Sequence, residues 1–127
     1  MTPSETVVLT EYVRACCPQQ AIGEYTADAW HDLLGDLSLA DCKSAVAEVA
    51  RRQPFVAASD IRAEVQEARH QRIKDAGGIP APPPELLDDP AAYGAALQAA
   101  ATALADGHDP QPVMQAIAAR SRRELEA

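Results

Sequence analysis

Five prolines (Pro80, Pro82, Pro83, Pro84 and Pro90) follow closely on the pair Gly77-Gly78. Proline fixes φ and has no amide hydrogen to give to a helix or a sheet. Glycine tolerates the left-handed backbone on which helices end. No regular element can run through such a stretch, and the spacing predicts a stiff, extended linker over residues 77–90. The chain is therefore expected to fold in two pieces, a domain over residues 1–76 and a tail over residues 91–127.

On both sides of this break the residues favour helices. Hydrophobic residues make up 47% of the chain but aromatics only 4%, and alanine leads the apolar set. Alanine is the best helix former, whereas strands want more β-branched and aromatic side chains. The expected class is all-α, a four-helix N-terminal bundle followed by the linker and a helical C-terminal tail. The first helix opens with Thr2 as cap, Pro3 at its first position and Glu5 three residues after the cap. Its inner face is read as Val8, Tyr12 and Ala15 with Leu9, Val13 and Cys16 beside them, and Pro18 stops it. Thr26 is placed as cap of a second helix carrying Trp30, Leu33, Leu34 and Leu37, spaced i, i+3, i+4, i+7. Ser38 opens a third, with Leu39, Cys42, Val46 and Val49 inside. Phe55 is expected to plug the end of the bundle. A fourth helix over residues 58–75 turns Ile61, Val65 and Ala68 inward, and its polar second half is expected to project beyond the core.

Beyond the linker, Tyr93, Leu97, Ala100 and Leu104 form one stripe over residues 91–105. A second stripe after Asp109-Pro110 carries Val113, Met114, Ile117 and Leu125. Both are narrow and weakly hydrophobic, the pattern of amphipathic helices that need a surface to fold against.

The net charge of −8 sets the chain against the phosphate backbone of nucleic acids, so direct DNA binding is disfavoured. The best local candidates for such contact are Arg62, Arg69, Arg72 and Lys74, although cations near a helix C-terminus also complement its dipole. No apolar run approaches the length of a membrane span, and no basic-then-apolar leader opens the sequence. Three cysteines without framework spacing fit a reducing cytoplasm. Cys16 and Cys17 are adjacent, which is poor geometry for zinc, and His31 and His70 supply no i, i+4 pair. Cys17, His31 and Asp32 are a triad on paper only. Asp28, Asp32 and Asp36 recur every four residues, as a solvated helical face does. Gly77-Gly78 lacks the Lys-Ser/Thr of a phosphate loop. Neither a cofactor nor an enzymatic activity is expected.

One stretch carries a family likeness. In AWHDLLGDLSLADCKSAVAEVARRQPFVAASDI, Trp30 precedes Leu33, Leu34 and Asp36. Ala45-Val46 then lie on a helix, Phe55 in a short loop, and Asp60-Ile61 at the opening of the next helix. This resembles the phage replicative-helicase loader and inhibitor family over roughly residues 7–75, as an actinobacterial or actinophage member. Here Pro54 precedes Phe55 and Val56-Ala57 follow it, where that family's loop has prolines after the Phe.

The resemblance implies a cytoplasmic protein of DNA replication that binds the hexameric replicative helicase, with an origin-binding protein as a further partner. It also implies that the C-terminal region engages the helicase, through Tyr93, Leu97, Leu104, Val113, Met114 and Ile117. Two alternatives stay open. One is a small DNA-binding regulator using the third and fourth helices as a helix-turn-helix. The other is a phage inhibitor of another host protein.

Overall fold

A computed structural model describes residues 1–126, and among these the regular structure is entirely helical. The helices are α1 (Pro3–Cys16), α2 (Thr26–Leu34), α3 (Leu39–Ala50), α4 (Ala58–Asp75), α5 (Pro90–Ala105) and α6 (Gln111–Glu126), with a 3-10 turn at Pro84–Leu86. The chain divides into two units, Met1–Glu67 and the residues from Ala68 onward. No helix among the described residues is long and apolar enough to cross a membrane.

The first unit is built on capped helices. Thr2 Oγ1 accepts the Glu5 amide at 3.1 Å while the Thr2 amide donates to Glu5 Oε1 at 2.8 Å, closing a reciprocal box at the start of α1. Ser38 Oγ accepts the Asp41 amide at 3.1 Å and opens α3 in the same way. Thr26 is not the cap of α2. Tyr25 holds that position, and Thr26 Oγ1 instead accepts the Gly23 amide at 2.9 Å, folding the preceding loop.

The buried face of α1 differs from the expected one. Thr6, Leu9, Thr10 and Val13 point inward, and Val8 and Ala15 are exposed. Two threonines can occupy an inner face because their hydroxyls bond locally. Thr6 Oγ1 donates to the Thr2 carbonyl at 3.1 Å and Thr10 Oγ1 to the Val7 carbonyl at 2.8 Å. Trp30 and Leu34 of α2, Cys42, Ala45, Val46 and Val49 of α3, and Ala58, Ile61 and Val65 of α4 complete this core.

Phe55 is not the plug. It is 52% exposed, and Val56 is fully buried in its place. Gln20 fixes this choice, because its amide donates to the Val56 carbonyl and accepts from the Val56 amide, each at 2.7 Å. A peptide group held on both sides can be buried without leaving polar atoms unsatisfied.

The second unit begins in the last turns of α4. Gly77 and Gly78 have φ of 89° and 94°, and the Gly78 amide reaches back to the Ile73 carbonyl at 3.0 Å, a glycine-dependent helix end. The stretch that follows is not an extended spacer. The Leu86 amide bonds the Pro83 carbonyl and the Leu87 amide the Pro84 carbonyl, and this turn drives Leu86 into a core with Ala96, Ala100, Met114 and Ala118. The expected linker is thus an anchored part of the second unit. The helical tail also has a core of its own, in which α5 and α6 pack as a hairpin under Leu86.

Candidate protein-binding surface

The hairpin is organised by Asp89. One of its carboxylate oxygens accepts the Ala92 amide at 3.2 Å, capping α5, and the other accepts the buried Ser121 hydroxyl of α6 at 2.7 Å. The Ser121 hydroxyl and then the Ala92 amide hold the Asp89 carboxyl below its ordinary range, by stabilising the ionised form. Pro90 supplies the preset first turn. From there to Ala105, α5 carries no charged residue, although charged residues make up 24% of the chain. Its inner face is Ala96, Ala100, Leu104 and Ala105. Three of these four are alanines, and the outer face of α5 is uncharged as well.

Two shallow grooves flank that outer face. One, of about 570 Å³, runs along Ala95, Gln98, Ala99, Thr102, Ala103 and Asp106 to Val113. The other, of about 320 Å³, is lined by Ile79, Gly94, Leu97, Gln98, Ala101 and Thr102. Leu97 and Val113 therefore lie where a partner could reach them. Tyr93 and Ile117 are half-buried against the hairpin core. Met114 is fully buried and Leu104 nearly so, so both hold the hairpin together and offer nothing to an incoming surface. Spacing alone could not separate these roles, since Leu104 shares a stripe with Leu97 and Met114 adjoins Val113.

Three of the four candidate nucleic-acid residues are engaged within the protein. Arg62 grips the Asp36 carboxylate and donates to the Leu33 carbonyl at 2.6 Å, which holds the Asp36 carboxyl below its usual range. Arg69 donates to Asp106 at 2.5 Å and Arg72 to the Ala105 carbonyl at 2.8 Å, so both secure the C-terminal end of α5, where a cation is favoured. Lys74 is exposed. The polar second half of α4, expected to project beyond a core, is thereby tied to the second unit.

Two of the three thiols, Cys17 and Cys42, are buried. Burial raises Cys17, and it pushes Cys42 up to about 11, so both stay protonated at neutral pH. The His31 ring lies 3.0 Å from Thr6 Oγ1, so its nearest hydroxyl partner is a buried threonine. Among the described residues no three of His, Cys, Asp or Glu gather as metal ligands. The run Arg120-Ser121-Arg122-Arg123 sets three exposed arginines on α6, of which Arg122 lies 3.6 Å from Glu85. Comparison with protein-family models, curated proteins and solved structures returned no match.

Proposed function

We propose that the chain is a non-enzymatic protein-binding factor that acts through the uncharged outer face of α5 and its two grooves. The observation that carries this reading is a sixteen-residue helix without one charge, exposed along a face that Leu97 and Val113 border. A helix that is uncharged all round is ordinarily covered. Its companion features are alanine packing and a locally capped hairpin, which would present that face rigidly and keep the cost of ordering on binding low.

The partner in this reading is a replicative DNA helicase, as the likeness over residues 7–75 implies, in a cytoplasmic role as loader or modulator during DNA replication. The four N-terminal helices would then act as the bundle of such a loader, and an origin-binding protein would be a second partner. No ATP-driven step is included, since the sequence has no phosphate loop. The helix-turn-helix alternative loses support because Arg62, Arg69 and Arg72 are spent on internal contacts.

The test is retention of purified helicase by the full chain and by Leu97→Glu and Val113→Glu variants. A charge set into an interfacial groove is expected to weaken retention by about tenfold or more. Equal retention by all three proteins would sink the assignment to α5. No retention of helicase by any of them would sink the choice of partner.

A further inference from the structure

The exposed side of α2 is itself divided lengthwise. Tyr25, Ala29 and Leu33 recur every four residues and form one ridge. Asp28 and Asp32 recur at the same interval and form the ridge beside it, with Tyr25 at the N-cap of α2 and Asp36 in the turn that follows its end. All six are solvent-exposed, with Tyr25 73% and Leu33 54% accessible. Asp36 is held by Arg62, but Asp28 and Asp32 have no ion pair among the described residues. Folding does not explain the arrangement. Like charges at i, i+4 repel, and Asp32 lies in the last turn of α2, where the helix dipole disfavours an anion. Two large apolar side chains stand in water next to them. Asp28, in the first turn, is the one acid that the helix itself favours.

We propose that this face is a docking site for a cationic amphipathic helix of another protein. The aliphatic edge of that helix would pack on Tyr25 and Leu33, with Ala29 as the low point between them. Its neighbouring Lys or Arg edge would meet Asp28 and Asp32. Both ridges repeat at about 6 Å, the axial advance of four helical residues, so a helix laid alongside keeps its cations and apolar residues in step. Nucleic acid does not fit, because the carboxylates repel phosphate. The Arg62 anchor on the Leu33 carbonyl and Asp36 steadies the C-terminal end of the face. This surface lies on the first unit, is separate from the α5 grooves, and does not depend on what α5 binds.

The experiment titrates the full chain into a fluorescently labelled amphipathic peptide of Leu, Ala and Lys, with the Lys residues on one edge. The same peptide with every Lys replaced by Glu serves as control. The Lys peptide is expected to bind and the Glu peptide not to. The double variant Asp28→Asn/Asp32→Asn and the single variant Leu33→Ala should each weaken binding about fivefold. Added salt should weaken binding to the native chain more than to the Asn variant. Leu97→Glu should leave peptide binding unchanged, which keeps this result separate from that of the α5 face. Absence of Lys-peptide binding, equal affinity for the Glu peptide, or full affinity in both α2 variants would overturn the proposal. So would a dimer in sedimentation that Asp28→Asn/Asp32→Asn abolishes, since the occupant would then be a second copy of this chain.

Discussion

Gln20 and Val56 stand 36 residues apart in sequence, yet one side chain satisfies both polar atoms of the other residue's backbone. Removing it leaves a buried amide and a buried carbonyl without partners, and each such loss costs about 1–3 kcal/mol. Gln20→Ala should therefore destabilise the first unit by about 2–4 kcal/mol in urea denaturation. Phe55→Ala should cost no more than about 0.5–1 kcal/mol, because most of that ring is already in water. A larger loss for Phe55→Ala than for Gln20→Ala would show that the ring is the plug after all. Hydrophobicity alone makes Phe55 the best core candidate in its loop. The clamp that turns the neighbouring residue inward is a glutamine with no local signal. Thr6 and Thr10 were missed for the same reason, as the carbonyls that satisfy them become visible only once α1 is built.

At the scale of elements, most caps and stops are legible in the sequence, the cap of α2 excepted, where Tyr25 stands in place of Thr26. Thr2-Pro3-Glu5, Ser38 with Asp41, and Gly77-Gly78 act through bonds within a few residues, so sequence suffices to find them. The Asp89–Ser121 contact is different, because it joins α5 to α6 across 32 residues. It also makes the hairpin sensitive to acid. The Asp89 carboxyl is depressed in the folded state, so its stabilising share is fully present above its unfolded value and is lost as pH falls through the lower folded value. The affected window lies below about pH 4. Ser121→Ala removes the largest cause of the shift. Asp89 in that variant should titrate closer to its unfolded value, as followed by NMR of its carboxyl carbon. The acid limb of α5–α6 unfolding should become shallower, because less of the stability is then linked to proton binding. An unchanged Asp89 titration in Ser121→Ala would refute that linkage. The proline stretch shows the converse limit. Its residues exclude α-helix and sheet between Gly78 and Asp89 but admit the 3-10 turn at Pro84–Leu86, and only the packed position of Leu86 reveals that the segment is anchored.

For the molecule as a whole, the two units have cores of unequal quality. The first buries Leu9, Val13, Trp30, Leu34, Val46, Val49, Val56, Ile61 and Val65, whereas the second relies on Leu86, Leu104 and Met114 among alanines. Hydrophobic stabilisation follows apolar area, at about 25 cal/mol per Å², and an alanine brings little. The second unit should therefore open at lower free energy than the first, as a cooperative piece of its own. Hydrogen exchange measures this directly, with amides of α6 expected to exchange well before those of α3. Leu86→Ala sharpens the test. Deleting a fully buried leucine costs about 2–5 kcal/mol, comparable with all that so small a core can supply. The variant should abolish protection across α5 and α6 while leaving α3 at its native exchange rates. Equal loss of protection in both units would mean that they share one cooperative transition. A face of α5 offered to a partner would then be presented at the stability of the whole chain. If the second unit opens alone, the presenting surface is the labile one, and a bound partner would raise its protection selectively by mass action.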